Sequence, residues 1–294
     1  IAAVPLATPK EAQQVLQEFN ATAHALPETT LVELLQQGMD RDPHAPALVF
    51  GDAALDYATL EARSFALAAQ LRAMDVGPGS VVAVALPRSL ELVIALVAVL
   101  RAGAAYLPLD LAHPDERLAR ILASAQPVCV LAAAEDSARM AGVPVLAPEQ
   151  WTALSFAAPW ADPAPSDAAY VIYTSGSTGQ SKGAWSNHRA VTQGVFSFVA
   201  QTVTVLTMMT EKGEGPTMQP CSLVNVPLFH VTGEVPLFLQ SFVIGRKLVM
   251  MPKWDAEEAM RIIEKERITY FVGVPLMSIE LATHPKRHEY DLTS

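Results

Sequence analysis

The sequence contains few cysteines, few aromatic residues and no excess of positive charge. Its two cysteines, Cys129 and Cys221, each lie in an apolar run with no Cys or His at metal-ligand spacing. The sequence therefore indicates no disulfide framework and no metal site, and we expect two small core residues in a protein of the cytoplasm. The formal net charge of −10 argues against a nucleic-acid partner, which would require a basic face.

Long hydrophobic runs are also missing. The longest apolar stretch, residues 90–100, is interrupted by Glu91 and does not lie at the N-terminus, so we expect neither a membrane helix nor a signal peptide. Hydrophobic residues nevertheless make up 51% of the 294 residues, which is enough for a sizeable core in one large domain or two modest ones.

Short strands alternate with helices from residue 81 onward. Apolar runs at 81–86, 104–109 and 128–131 predict buried strands. Ser89 can cap a helix after the first strand, and Pro114 can open a helix after the second. This order predicts an α/β fold with two lobes of largely parallel sheet covered by helices.

Two later features complete the predicted organisation. Residues 132–168 hold five prolines and are interpreted as the connection between a first subdomain, 1–165, and a truncated second one, 166–294. In the second subdomain, Asp255 begins a capping box for a helix that runs to about Glu266, and 268–272 follows as a strand.

A loop at 174–183 has the chemistry of a phosphate cradle and follows an apolar strand directly. Its glycines allow the backbone N–H groups to curl around an anion, its hydroxyls add donors, and Lys182 supplies a positive charge. The contributing residues are Thr174, Ser175, Gly176, Ser177, Thr178, Gly179 and Lys182. The order Ser181-Lys182-Gly183 disfavours a P-loop NTPase, and the preceding strand disfavours a flexible Ser/Gly linker.

This loop resembles the phosphate-binding core motif of the adenylate-forming enzymes, which include acyl-CoA synthetases, peptide-synthetase adenylation domains and luciferases. Residues 55–60, 100–110 and 113–118 resemble further motifs in the right order, and the resemblance covers nearly the whole chain from about Thr30. It implies that ATP is used, that the loop holds the β- and γ-phosphates, and that Thr174, Lys182 and His230 are catalytic. It also implies that coenzyme A or phosphopantetheine is the thiol acceptor.

The two parts of the chain resemble different branches of that family. Residues up to about 182 are similar to a peptide-synthetase adenylation domain, and those from about 188 are similar to a fatty acyl-CoA synthetase. Composition changes at the same place, since Lys10 is the only lysine before residue 182 and six lysines follow from there. We therefore hypothesise a hybrid chain.

The second part carries the substrate residues. In the resembling synthetases a histidine in the position of His230 lies beside the substrate carboxylate, and Val231 and Gly273 are assigned to the same pocket. Amino-acid-activating relatives place an aspartate just after this point, where Val231 stands here. Because Val cannot balance a buried ammonium, the resemblance favours a plain carboxylic acid as substrate.

Several alternatives stay open. The chain could belong to an amino-acid-activating domain with a carrier protein as partner, or to a non-catalytic scaffold lobe. The family's later motifs, including the expected magnesium ligand, do not occur in the sequence, so we expect a weakly active fragment that needs a missing C-terminal half. We also expect apolar surface to be uncovered around 226–228 and 271–274.

Overall fold

Four stretches are described by the structure, a computed structural model: residues 7–22, 27–151, 162–175 and 181–294. The α-helices are α1 (Pro9–Gln13), α2 (Leu31–Arg41), α3 (Tyr57–Ala73), α4 (Leu90–Arg101), α5 (Asp115–Ala125), α6 (His188–Glu211), α7 (Val231–Gly233), α8 (Gln240–Ile244), α9 (Ala256–Glu266) and α10 (Pro275–Thr283). The strands are β1 (Pro46–Phe50), β2 (Ala53–Asp56), β3 (Val81–Ala85), β4 (Ala105–Pro108), β5 (Cys129–Ala132), β6 (Val145–Leu146), β7 (Ala168–Ser175), β8 (Ser181–Asn187), β9 (Cys221–Val224), β10 (Lys247–Met250) and β11 (Tyr270–Phe271). Short 3₁₀ helices cover Ala134–Arg139, Pro148–Gln150 and Arg287–Glu289, and π-helical turns cover Gln14–Glu18 and Glu234–Leu239.

The strands form two mostly parallel sheets. The six-stranded sheet has the order β6-β5-β3-β4-β7-β8, in which only β8 runs antiparallel to its neighbour. The five-stranded sheet has the order β11-β9-β10-β1-β2, in which only β2 is antiparallel. These sheets confirm the predicted α/β class.

Each sheet draws strands from both sides of residue 165. The five-stranded sheet includes β1 and β2 from the beginning of the chain, and the six-stranded sheet includes β7 and β8, which flank the predicted phosphate loop. The division into 1–165 and 166–294 therefore describes order along the chain and not the membership of the sheets.

Successive residues of a strand point to opposite faces of the sheet. The apolar residues of one strand therefore belong to two different cores, one on each face of the sheet. In β3, Val82 and Val84 belong to the central core between the sheets, while Ala83 and Ala85 face an outer core that also contains α5. A second outer core joins the far face of the five-stranded sheet to α9. Every residue of α4 except the half-buried Glu91 is buried, as expected for a largely apolar helix that lies between two sheets.

The predicted helix starts are largely confirmed. The side chain of Ser89 accepts a hydrogen bond from the N–H of Leu92, and Asp255 accepts one from Glu258. The reciprocal contact of the expected capping box, from the Asp255 backbone N–H to the Glu258 carboxylate, does not form. The Glu258 carboxylate accepts from Arg261 instead. Pro114 is the N-cap of α5, one residue before the helix begins.

The predictions about buried and exposed apolar residues have mixed outcomes. Both cysteines are buried, as predicted, and burial raises the thiol pKa of Cys129 to about 11. The expectation of uncovered surface at 226–228 is wrong for Val226 and Leu228, which are buried, Leu228 as part of the central core. Pro227 is exposed, and Val274 is 53% exposed.

Helix α6 is long enough and apolar enough to cross a membrane. No such segment was expected from the sequence. Its first turns pack into the protein through His188, Val191 and Val195, which are buried. Length and composition alone are a weak indication, because helices of soluble proteins pass the same test.

Candidate functional site

Thr174 and Lys182 lie opposite each other on neighbouring antiparallel strands. β7 and β8 pair in one register from Tyr170 with Ser186 to Ser175 with Ser181, and this pairing sets Thr174 against Lys182. Both side chains are exposed, and Lys182 forms no ion pair within the described part of the chain. The lysine charge is therefore available to an anion bound near this end of the hairpin.

The hairpin has a steric reason for a glycine at 183. A Cβ atom on Gly183 would lie 3.0 Å from the ring of Tyr173 on the opposite strand. The Tyr173 hydroxyl donates a hydrogen bond of 2.8 Å to Ser124 on α5, which fixes the strand that leads to Thr174. The remaining predicted loop residues, Gly176, Ser177, Thr178 and Gly179, lie outside the described residues, and so does the side chain of Ser175.

His230 is the N-cap of α7. Its Nδ1 accepts a hydrogen bond of 3.3 Å from the backbone N–H of Thr232, and its side chain is exposed. The next residue, Val231, is 52% exposed. The tight turn depends on Gly233, because a Cβ atom there would lie 2.2 Å from the carbonyl oxygen of Pro227.

The turn after His230 contains a buried acidic residue, Glu234. Its backbone N–H donates to the carbonyl oxygen of His230 at 3.0 Å, so the two residues stand one helical turn apart. Its side chain is completely buried, and neither carboxylate oxygen has a hydrogen-bond partner among the described residues. Burial raises the pKa of this carboxyl well above its usual value, which favours the neutral acid.

The turn that contains Glu234 is itself irregular. Residues Glu234–Leu239 form a π-helical segment between α7 and α8. Single π turns within helices occur frequently at functional sites. The local geometry therefore favours a functional role for the surroundings of His230 and Glu234.

Gly273 and Asn225 meet at the carboxyl ends of two neighbouring strands. Asn225 follows β9, and Gly273 comes two residues after β11, which pairs with β9 in parallel. A Cβ atom on Gly273 would lie 3.2 Å from Asn225 Nδ2 and 2.8 Å from the ring of Phe271. The Asn225 side chain is buried and its Oδ1 has no partner among the described residues.

The structure thus groups some predicted residues and leaves others apart. Thr174 and Lys182 lie together on the six-stranded sheet, whereas His230, Val231 and Gly273 follow strands of the five-stranded sheet. No hydrogen bond or ion pair joins the two groups in the part of the chain that the structure describes.

Sequence reasoning missed Asn225 and Glu234. The available signal was a single polar side chain within an apolar run for Asn225, and a single acidic side chain directly before an apolar run for Glu234.

A metal site is not formed by the described residues. No group of three or more His, Cys, Asp or Glu side chains lies close enough together among them to hold a metal ion. We therefore assign no magnesium ligand.

Comparison with known proteins shows the family. Residues 35–294 match the model of the family described as AMP-binding enzyme. Vanchrobactin synthetase VabF of Vibrio anguillarum is 32% identical over 92% of this chain, and enterobactin synthase component F of Escherichia coli K12 is 39% identical over 64% of it. The chain spans only 10% and 15% of the lengths of these two relatives.

Solved structures agree with the fold. A nonribosomal peptide synthetase, FmoA3, bound to AMPPNP, superposes with a TM-score of 0.78 at 28% identity, over 92% of this chain and 28% of that one. The N-terminal domain of FACL13 from Mycobacterium tuberculosis has a TM-score of 0.74 at 20% identity, over 90% of this chain and 68% of that one, which is a similarity of fold. With its family match, its relatives and its two-sheet architecture, the chain belongs to the AMP-binding enzyme family as the N-terminal part of an adenylate-forming fold.

Proposed function

We propose that the chain is part of a ligase that activates a plain carboxylic acid with ATP. The acid carboxylate attacks the α-phosphorus of ATP and pyrophosphate leaves. The thiol of coenzyme A or of a phosphopantetheine-bearing carrier protein then attacks the acyl carbon of the acyl-adenylate, and AMP leaves as the thioester forms and the thiol proton is lost. The family match supports the use of ATP. The substrate class, the acceptor and the activity of this chain alone are parts of the proposal.

The hairpin residues are assigned to the triphosphate. The ammonium of Lys182 is exposed and has no ion-pair partner among the described residues. Together with the neighbouring hydroxyl of Thr174 it can bind the β- and γ-phosphates of ATP, which neutralises charge that builds up as pyrophosphate leaves. A bound magnesium ion would supply further neutralisation of the same phosphates. Since little covalent chemistry falls to the protein, positioning of the two reactants dominates.

The main support for the proposed substrate class is that the residue after His230 is apolar. Val231 is 52% exposed at the first position of α7, beside the imidazole assigned to the carboxylate. A carboxylate at this position would pair with the ammonium of an amino acid, and Val offers no such partner. The arrangement therefore favours an acid without an α-amino group.

Glu234 supports a second candidate, activation of an amino acid. Its buried carboxyl lies one turn beyond His230 and has no partner among the described residues, so it could pair with a substrate ammonium. The similarity to the nonribosomal peptide synthetase FmoA3 favours the same alternative. We rank it second because burial raises the pKa of Glu234 and so disfavours the charged form that would balance an ammonium.

Acid-dependent exchange of labelled pyrophosphate into ATP tests the proposal. The chain would be assayed alone and with the C-terminal part of an adenylate-forming relative, using 4-methylpentanoate against leucine and 3-phenylpropanoate against phenylalanine. We expect exchange with the plain acids. A clear preference for the amino acids would establish the second candidate, and absence of exchange in both preparations would indicate a non-catalytic lobe.

A further inference from the structure

A cavity of about 290 Å³ lies where the ends of both sheets meet. Its floor and walls are largely apolar and come from α4, from the segments after β3 and β4, and from the segment after β9. The principal apolar residues are Leu86, Leu92, Leu96, Leu109, Leu228 and Phe229. Crevices beyond the carboxyl ends of parallel strands are the usual ligand sites of α/β proteins, and this volume is near the lower limit for such sites.

Two opposite charges line the cavity without neutralising each other. Arg88 and Asp110 both contribute to its lining, yet neither forms an ion pair with any residue that the structure describes. Arg88 Nη2 donates to the carbonyl oxygen of Pro252 at 2.8 Å, while its Nη1 is buried and has no partner among the described residues. Asp110 Oδ1 accepts from the N–H of Ala112 at 2.9 Å.

The register of the sheet places these two residues near each other. β3 and β4 are adjacent and parallel, with Val84 opposite Pro108, and the N–H of Leu109 donates to the Val84 carbonyl at 2.8 Å. Arg88 and Asp110 follow closely on these two neighbouring strands, whose spacing is about 4.8 Å. Both charged groups therefore stand at the same edge of the sheet, above the apolar floor.

Burial makes the unpaired charge of Arg88 costly. Removal of the guanidinium from water lowers its pKa, and no carboxylate among the described residues compensates for the lost hydration. A ligand that brings one anionic and one cationic group would compensate both side chains at once. A ligand with only one charge would leave the other side chain unpaired.

We propose that this cavity is a binding site for a small zwitterion with an apolar body, of the size of an aliphatic or aromatic α-amino acid. The ligand carboxylate pairs with Arg88, its ammonium pairs with Asp110, and its side chain lies on the leucines of the floor. His230 does not line this cavity, although the preceding residue Phe229 does, and the site does not depend on the proposed function.

Calorimetric titration of the 294-residue chain tests the site. L-leucine and L-phenylalanine would be compared with 4-methylpentanoate, which lacks the ammonium, and with 3-methylbutylamine, which lacks the carboxylate. We expect at least one amino acid to bind. Both truncated leucine analogues should bind at least tenfold more weakly to the His230→Ala variant, which lacks the imidazole assigned to a carboxylic acid substrate. Equal binding of either analogue to that variant, or no amino-acid binding at millimolar concentration, would overturn the proposal.

Variants separate this site from the candidate active site. Arg88→Met and Asp110→Asn should each weaken amino-acid binding at least tenfold, whereas the exposed controls Arg120→Met and Asp75→Asn should not. Asp110→Asn keeps an oxygen for Ala112, so it remains informative if loss of the Arg88 bond to Pro252 impairs folding, which a thermal melt would reveal. Undiminished binding to Asp110→Asn, or loss of binding in His230→Ala, would show that the ligand sits elsewhere.

Discussion

The imidazole of His188 caps a helix that begins 157 residues earlier in the chain. Its Nδ1 accepts a hydrogen bond of 3.1 Å from the backbone N–H of Leu31, the first residue of α2. His188 is also the first residue of α6, directly after the hairpin strand β8. A nitrogen that accepts a hydrogen bond must be unprotonated, so this contact requires the neutral imidazole.

The pH dependence of stability should report this contact. Burial lowers the pKa of His188 to about 4 from an ordinary value of 6.5. Between these values the unfolded chain binds a proton that the folded chain does not, so the free energy of unfolding falls as pH falls from 6.5 to 4. The full effect is about 3 kcal/mol. Urea unfolding at pH 7 and pH 4.5 would measure it.

A matched pair of variants isolates the contribution of His188. Replacement by Gln should reduce the dependence on pH in that window, whereas the same change at the exposed His288 should leave it unaltered. If His188→Gln follows the parent protein throughout, the imidazole is not the titrating group.

Glu234 should give stability the opposite pH dependence to that of His188. Its pKa in the folded protein is raised, so its protonated form is stabilised by folding. The unfolded carboxyl loses its proton above about pH 4.5. Stability from this residue is therefore complete below that pH and is lost as pH rises toward the folded pKa.

Replacing Glu234 with Gln removes this titration while keeping the shape of the side chain. We expect Glu234→Gln to be more stable than the parent at pH 8 and to lose that advantage at pH 4. Thermal melting at both pH values would measure the difference. Exposed Glu149, changed to Gln, serves as the control. Equal stability of Glu234→Gln and parent at pH 8 would show that the carboxyl has a partner in solution.

Gly233 offers a steric test of the turn at His230. An alanine Cβ at this position would lie 2.2 Å from the Pro227 carbonyl oxygen, so the backbone must move. We expect Gly233→Ala to destabilise the protein by about 1–3 kcal/mol, in the range for overpacking. In contrast, among the described residues a Cβ at Gly194 in α6 would meet Val235 alone, at an ordinary 3.7 Å. Gly194→Ala should therefore stabilise the helix by about 1 kcal/mol. Urea unfolding compares the two, and equal effects would refute the proposed close approach.

Lys182 should control nucleotide affinity. Replacement with Ala removes the positive charge of the hairpin, and we expect ATP to bind at least tenfold more weakly, because a charge-assisted contact to phosphate is lost. Titration with a fluorescent ATP analogue would measure the change. Lys212→Ala, at the exposed end of α6, is the matched control. Unchanged affinity of Lys182→Ala would remove the hairpin lysine from the site.

Local signals in the sequence are sufficient for much of the fold. Ser89 and Asp255 were identifiable as caps because a short polar side chain before an apolar helical pattern satisfies free N–H groups locally. The strands at 81–85 and 129–132 were predictable for a similar reason, since buried parallel strands are continuous apolar runs.

Long-range pairing was not predictable in the same way. β1 pairs in parallel with β10, with Leu48 opposite Leu248, and nothing local in 46–50 specifies that partner. The cap of Leu31 by His188 and the buried position of Glu234 depend equally on elements that meet only in the folded chain. Family resemblance and not local pattern identified His230, whereas Lys182 was identifiable from the chemistry of its own loop.

Self-association should depend on the surface of α10. Val274, Leu276 and Ile279 are 53%, 61% and 56% exposed, and α10 contains no buried residue. It follows β11, a two-residue strand at the edge of the five-stranded sheet. Contiguous apolar surface beside a sheet edge favours contacts between molecules.

We therefore expect the 294-residue chain to associate at micromolar concentrations and the double variant Leu276→Glu, Ile279→Lys to associate less. Size-exclusion chromatography with light scattering would give the masses of both. The same charge pair placed on exposed Val203 and Met208 of α6 controls for a general gain in solubility, and it should have the smaller effect if α10 forms the contact. A monomeric parent chain with a sharp thermal transition at high temperature would contradict the prediction, because it would show that the exposed apolar residues of α10 are stable in water without a partner.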